Sequence, residues 1–529
     1  MNYLFKVANT NEEFEQIHRL NHEIFVEELQ QHQLKSNRNN KRIDKFHDEN
    51  TYYIAIYDNR IVGMVCLRDQ RPFSLEDRIN IDIHSPYSFD RPCELRLLAV
   101  KKEHRNGKVF RGLWTLLMRG FEKGRYDVAF SSGVVQNLGL YEKIGFERFS
   151  EPVQSGKTDL QPIVACRENF LRFKGNVEPL VDKQVNFLPG PVPLTNRHKT
   201  FLQGDIYSHR SDLFIETHFF CQQALRELTN SAHVEILTGT GTLANEAIGY
   251  ELKKIGSKGL ILVNGEFGRR LVQIATRLAL DFSILELKDG FSFTGETLSF
   301  VREEDIDWIW AVHHETSTGI ITDLDLLKSF SLKIGAKLCL DCVSSIGLVP
   351  LNFQDIYLAS GVSGKALGGL TGLSFVFYRQ PIQEHPTVKP PFYLDLYQYE
   401  KRVGVPFSSS SMLYDSLKFV LSISAEKREG RILENYIVLR DAAWKANLKI
   451  ISQEEGGVLT IELDEDLNSK VIGSEMVEAG FNVHYVQEYL ARNRWIQIAP
   501  FGHYEVGDLK KVICYLALLI RYKKQEVLT

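Results

Sequence analysis

Apolar and polar positions follow two different rhythms along the chain. Near the N-terminus the run FEQIHRLNHEIFVEEL has a helical pattern, and TYYIAIYD and RIVGMVCLRD then read as strands joined by a turn at Asp58–Asn59. CELRLLAV predicts a third strand. It leads into a helix over VFRGLWTLLMRGFEKG, where Val109, Leu113, Leu116, Leu117 and Phe121 recur at helical spacing and Gly124 stands where a C-cap glycine is expected. The polar segment KGNVEPLVDKQVN, residues 174–186, reads as a linker. From about residue 187 helix-like and strand-like segments alternate, with strands expected at GLILVNG, WIWAVHHE, AKLCLDCV and IYLASGVSG. That alternation predicts an α/β fold built on a mostly parallel, doubly wound sheet, with ligands at the carboxyl ends of its strands. The expected division is 1–178 and 179–529, with a smaller α+β subdomain from about 430 to 529.

Composition narrows this picture. A chain of 529 residues exceeds what one hydrophobic core supports, about 250–300 residues, so two domains are expected. At 44% apolar and 25% charged it is an ordinary globular sequence. A formal charge of −4 argues against bulk nucleic-acid binding, so any phosphate recognition needs a local site. Seven cysteines are sparse and odd in number, which points to a reducing cytoplasm rather than a disulfide framework. Cys339 and Cys342 form a C-x-x-C inside an apolar run with no second pair, and read as strand residues rather than metal ligands. No signal peptide is apparent. VICYLALLI is nine residues long, about half a bilayer span, and reads as a buried helix face; no membrane partner is expected.

Four features carry candidate chemistry. In LTGTGTLANEA, Thr240, Gly241 and Thr242 precede a helical pattern, and free N–H groups, hydroxyls and a close backbone approach suit an anion. Asp341 ends an apolar run, where a carboxylate needs a partner. Lys365 lies among Ser, Gly and Ala in SGKALGG, where desolvation favours a neutral amine able to condense with an aldehyde. Phe267 follows a Gly turn in NGEFGRR and can stack on a flat ring. Taken singly, each has an ordinary alternative: a small-residue helix start, a capping Asp, a loop lysine, a core aromatic.

Together, and with FLPGPVPLT, SHRSDLF, HHETSTG and DCVSSIG in order, these motifs give residues 187–529 a resemblance to class V aminotransferases of PLP fold type I. The nearest in appearance are the alanine–glyoxylate and 2-aminoethylphosphonate–pyruvate transaminases. The resemblance implies pyridoxal 5'-phosphate held as a Schiff base by Lys365, with Asp341 on the ring nitrogen. It also implies a phosphate cradle at Thr240, Gly241 and Thr242, Phe267 and Val343 on the two ring faces, and Thr316 and Ser317 near the polar edge. It further implies a homodimer in which VPFSSSSM, with Ser411, completes the neighbour's phosphate site, and substrate contacts at His209 and Arg210. The family's carboxylate-gripping arginine aligns with Gln497. Arg494 is three residues earlier and is the expected substitute.

ELRLLAVKKEHRNGKVFRGLWTLLM followed by LYEKIGFERF resembles the GNAT acyltransferase fold, and IFVEELQ with DKFHDENTYYIAIYDNRIVGMVCLRD its acyl-homoserine-lactone and N-acyl amino acid synthase branch. The resemblance implies an acyl-CoA, acetyl or longer, with its pyrophosphate at the helix beginning near Val109, assisted by Arg105 and Gly107. Lys108 and Phe110 depart from the family's glycines. Tyr141 is the expected acid for the departing thiolate and Glu94 an orienting group or base. The expectation is a bifunctional, PLP-dependent aminotransferase and N-acyltransferase. The alternative is a PLP-dependent lyase or decarboxylase whose N-terminal part is a binding or dimerisation module.

Overall fold

Hydrogen-bonded strands, most of them buried along nearly their whole length, build two mixed sheets, one in each unit. The computed structural model describes all residues except 1–2, 33–39, 80–82, 84–87, 173–179, 181–182, 302–305 and 529. The expected linker falls largely outside them. One unit comprises 1–185 with 471–482 and 511–529; the other comprises 186–470 with 483–510.

In the first unit the strands run in the order Leu4–Val7, Thr51–Tyr57, Arg60–Arg68, Pro92–Val100, Val128–Val134, Thr158–Cys166 and Glu147–Arg148. The expected hairpin is present: Asp58 and Asn59 both adopt positive φ, 48° and 58°, as a tight two-residue turn requires. The N-terminal helical pattern forms Asn11–His22, capped by Thr10 and Glu13, and then widens into a π-turn at Glu23–Glu28. The helix expected near Val109 spans Lys108–Lys123 and buries Val109, Leu113, Leu116, Leu117 and Phe121.

The C-terminal segments of this unit are tied to its first strand and helix through a buried charge network. Lys6, 1% exposed, bonds Glu13 Oε1 at 2.5 Å and lies 3.4 Å from Glu475, which Lys523 approaches at 3.2 Å. The Tyr522 hydroxyl donates to Glu13, and that of Tyr515 to the Phe5 carbonyl. Burial opposes charge on Glu13, but Lys6 holds its carboxyl below the usual range. The VICYLALLI run lies on this last helix. Val512, Ile513, Tyr515, Leu516 and Leu519 are buried and Cys514 is exposed.

In the second unit seven strands run His233–Thr238, Leu373–Tyr378, Leu358–Val362, Lys337–Asp341, Trp308–Val312, Gly259–Val263 and Phe282–Glu286. All neighbours pair parallel except Leu373–Tyr378, which is antiparallel to both of its own. Apolar clusters cover both faces, as a doubly wound sheet requires. Cys339 and Cys342 are buried in the core, and burial pushes their thiols up. A three-stranded sheet, Lys449–Ile450, Leu459–Glu462 and Trp495–Ile498, stands apart from the main one.

On the antiparallel edge, burial pushes the Glu235 carboxyl up to about 7, while the Tyr378 hydroxyl donates to it at 3.0 Å. The folded state therefore holds this proton longer than the unfolded chain. Stability should fall by about 3 kcal/mol as pH rises from the unfolded value through 7, and level off above. Glu235→Gln is expected to flatten that slope, measured as urea midpoints between pH 5 and pH 8.

Among the described residues no cluster of His, Cys, Asp or Glu could hold a metal ion, and no helix is long and apolar enough to cross a membrane.

Candidate active sites

The carboxyl ends of the parallel strands meet at a cavity of about 580 Å3 in the second unit. Asp341 is the last residue of its strand, Lys365 follows Leu358–Val362, Thr316 follows Trp308–Val312, and Phe267 follows Gly259–Val263. Thr240, Gly241, Thr242 and Val343 line the same cavity.

Each group has a local reason for its place. The helix Gly241–Ile255 starts at Thr240 without a side-chain cap, so its first N–H groups face the cavity. No protein group pairs with the hydroxyls of Thr240 or Thr242 among the described residues. Gly241 is required: a Cβ there would lie 2.6 Å from Val343 Cγ2. Asn245, one turn along the helix, donates to Asp341 Oδ2 at 2.7 Å, and the Val343 N–H donates to Oδ1 at 2.9 Å. Lys365 Nζ donates to Ser344 Oγ at 2.8 Å and lies 5.0 Å from the Phe267 ring centroid. Burial holds the Lys365 amine below its usual range, against the pull of Asp341 and Glu315.

These residues fit pyridoxal phosphate. The helix N-terminus and two unpartnered hydroxyls suit the phosphate, and the oriented carboxylate suits a protonated ring nitrogen. The aromatic and valine walls suit the ring, and the desolvated amine suits the aldehyde.

Other expected residues stand elsewhere. The Ser317 hydroxyl turns from the cavity to the buried Glu315 carboxylate and accepts from the Glu266 N–H at 3.0 Å. Glu315 in turn accepts from the N–H groups of Phe267 and Gly268, capping the helix Glu266–Arg277, and burial pushes its carboxyl up. Ser411 is buried and accepts from the Tyr207 N–H. Arg210 donates to the carbonyls of Val405 and Pro406, and neither it nor His209 lines the cavity. Arg494 sits with positive φ at a helix C-terminus, away from the cavity wall.

Gln497 does not face the cavity either. Its Nε2 donates toward the carbonyls of Thr316 and Ser317 and the Thr460 hydroxyl at 2.8–3.0 Å. Its Oε1 must therefore accept, from His484 Nδ1 at 3.0 Å. That fixes the tautomer of His484, leaving an Nε2 lone pair on a side chain that does line the cavity. Burial holds the imidazole below its usual pKa, so it stays neutral. Gln497→Ala leaves two buried carbonyls short of a donor, and should cost about 1–3 kcal/mol in denaturant unfolding. The same variant removes the acceptor of His484 Nδ1, which should be visible as a changed imidazole NMR shift, whereas Gln497→Glu keeps that acceptor and loses only the donor to the carbonyls.

Asn245, Glu315, Ser344 and His484 were not picked out by sequence reasoning. Asn245 could have been, because a polar residue one turn after Gly241 faces the same way. The other three are defined by partners distant in sequence.

In the first unit the strand Pro92–Val100 pairs with Val128–Val134 only over Pro92–Leu95. Leu97 has φ 53°, a bulge that parts the two strands and opens a cavity of about 790 Å3. Phe25, Leu97, Phe110 and Trp114 line it, with the ion pair Arg96–Asp44 at 2.8 Å. Tyr141 lines it too; burial pushes its phenol up to about 12, and no protein group pairs with its hydroxyl among the described residues. Gly107 has φ 79° and starts the helix Lys108–Lys123. Arg105 is held by Glu28 in a two-pronged pair at 2.6 and 2.7 Å. Glu94 does not line the cavity. It is 2% exposed and accepts from the Ser74 hydroxyl and the N–H groups of Ser74 and Leu75, which makes it an anchor for the start of a helix.

Comparison with known proteins matches this division. Residues 20–115 match the family model described as an acetyltransferase (GNAT) domain, so the expected GNAT domain stands at the N-terminus. The C-terminal part has the fold of PLP fold type I enzymes and is similar to class V aminotransferases. It aligns with 2-aminoethylphosphonate–pyruvate transaminase of Pseudomonas entomophila (strain L48), 32% identical over 195 residues, 36% of this chain and 53% of that protein. The chain thus spans about half the length of the curated relatives it matches. Among solved structures, alanine–glyoxylate aminotransferase from Nostoc sp. superposes with a TM-score of 0.58 at 23% identity, covering 65% of this chain and 98% of that one. Aspartate aminotransferase from Thermus thermophilus gives 0.56 at 23%, covering 63% and 98%.

Proposed function

We propose that the chain is a bifunctional enzyme: a PLP-dependent aminotransferase that moves an amino group from a small amine or amino acid to an oxo-acid, joined to an acyl-CoA-dependent N-acyltransferase. The observation that carries the first activity is the desolvated Lys365 amine in one cavity with Asp341, Phe267 and the bare helix start at Thr240–Thr242.

Pyridoxal phosphate, when bound, supplies the electrophilic carbon and the electron sink. Asp341, oriented by Asn245 and the Val343 N–H, accepts from the protonated ring nitrogen. The Lys365 amine, whose hold on a proton burial weakens, would with the cofactor bound be the base that takes the proton from the substrate carbon and delivers it to the cofactor carbon. Ser344 holds Nζ in place between these transfers. Phe267 and Val343 keep water from the two faces. Gln497 cannot grip a carboxylate. Arg270, which meets no carboxylate among the described residues and lies 4.9 Å from the Phe267 ring centroid, takes over contact with the substrate's anionic group. His484 Nε2 accepts from a donor on the same substrate. Arg270→Met should raise KM about tenfold or more for an acidic substrate and leave a neutral amine unaffected. Steady-state kinetics on such a substrate pair is the check.

In the first unit the parted strands take an extended pantetheine against the free edge of Arg96–Val100, and the apolar walls take the acyl chain. Tyr141, with its proton held by burial, protonates the departing thiolate. Tyr141→Phe should lower CoA release by on the order of 100-fold with acyl-CoA binding preserved. We further propose a cytoplasmic homodimer in which the segment held by Arg210 and Ser411 serves the neighbour's cofactor site.

The test is spectral. The purified chain given pyridoxal phosphate should show the visible band of lysine-bound cofactor and lose it on adding a true amino donor. A second reading is favoured by Gln497: a PLP-dependent lyase or decarboxylase beside a non-catalytic module. It predicts turnover that leaves the band unconverted by any amine, and no CoA release.

A further inference from the structure

A second cavity in the same unit, about 360 Å3, lies behind the segment that follows Lys365 and has no part in the chemistry above. It is walled by Val192, Leu367, Phe419 and Phe501, and by three arginines and two histidines: Arg197, Arg428, Arg431, His198 and His503. Among the described residues no Asp or Glu lines it.

Its buried polar groups lack acceptors. Arg428 is only 3% exposed, yet among the described residues its guanidinium donates only to the Val420 carbonyl, 2.9 Å from Nη1, and its Nε has no partner. It forms no ion pair within 4 Å of a carboxylate among the described residues; Glu429, its neighbour along the helix, attracts it only at longer range, and burial still holds the guanidinium below its usual range. Gly347, at φ 79°, makes room for this guanidinium, since a Cβ there would lie 3.0 Å from Arg428 Nε. Arg431 Nη1 meets His503 Nε2 at 2.9 Å, and Arg431 Nε is unpartnered. His198 Nδ1 accepts from the Thr195 N–H at 3.2 Å, so Nε2 carries the proton, and it too is unpartnered. Every orphan is a donor. Buried guanidinium groups are ordinarily paired, because an uncompensated one costs several kcal/mol. A volume of this size is that of a small-molecule site.

We propose that this cavity binds a small organic anion, whose carboxylate or phosphate oxygens accept from Arg428 and Arg431 and whose apolar body rests against Val192, Leu367 and Phe501. The site is separate from the Lys365 cavity and its occupancy does not depend on the reaction performed there.

The test uses the full chain saturated with pyridoxal phosphate. Isothermal titration with benzoate, with inorganic phosphate, and with neutral benzamide of nearly the same shape is compared in wild type, Arg428→Met and Arg431→Gln. Saturable binding of benzoate or phosphate, no binding of benzamide, and at least tenfold weaker binding in either variant support the site. Benzoate alone assigns a carboxylate ligand and phosphate alone a phosphorylated one. In anion-free buffer Arg428→Met should melt higher than wild type, since it removes an unpaired charge, with the order reversed at saturating anion. Binding left unchanged in both variants, or no saturable binding of either anion to wild type, overturns the proposal. A retained visible band in each variant shows that the cofactor site is intact, so the two readings fail separately.

Discussion

Lys365→Ala is expected to abolish the visible band of the cofactor-loaded protein and to lower turnover by at least about 1,000-fold, within the range for loss of a proton-transferring side chain that, on the proposed function, also anchors the cofactor. Nζ is held by Ser344, lies over the Phe267 face, and has its affinity for a proton lowered by burial. No other amine lines that cavity among the described residues, since the remaining cations there are arginines. Absorbance spectra and single-turnover measurements on the variant supply the check. A full visible band in Lys365→Ala would refute the assignment, whatever its turnover.

Deleting residues 511–529 should unfold the first unit. That helix supplies Tyr515, Tyr522 and Lys523, whose loss uncovers Phe5 and leaves Glu13 and Glu475 without two of their partners. Removing one member of a buried charge network typically costs about 3–5 kcal/mol, a large share of the stability of a domain. Glu475→Ala alone should therefore lower stability by about that amount, because Lys6 and Lys523 each lose a buried carboxylate. Limited proteolysis should cut the truncated chain within residues 3–172 while sparing the second unit. Resistance equal to that of the intact chain would show that the last helix is dispensable.

Both results turn on where sequence could and could not be read. The strands of the second unit were legible because their apolar runs are short and bounded by Gly and charged residues. The cofactor residues were legible because a doubly wound sheet delivers them to strand ends: Asp341 closes its strand, and Lys365 and Phe267 follow theirs by a few positions. Gln497 was legible as a departure but not as a hub, because its carbonyl partners lie about 180 residues away. Glu94 read as an available carboxylate, yet Ser74 and Leu75 consume it, and nothing near residue 94 announces them. The membership of 471–482 and 511–529 in the first unit left no local trace, since a buried helix face looks alike whichever body it covers.

That membership bears on how the chain can be cut. Residues 1–185 reach 471–482 and 511–529 only through the sequence of the second unit, so the first unit is not one continuous stretch. A nick between the two units therefore leaves neither piece with the complete first unit.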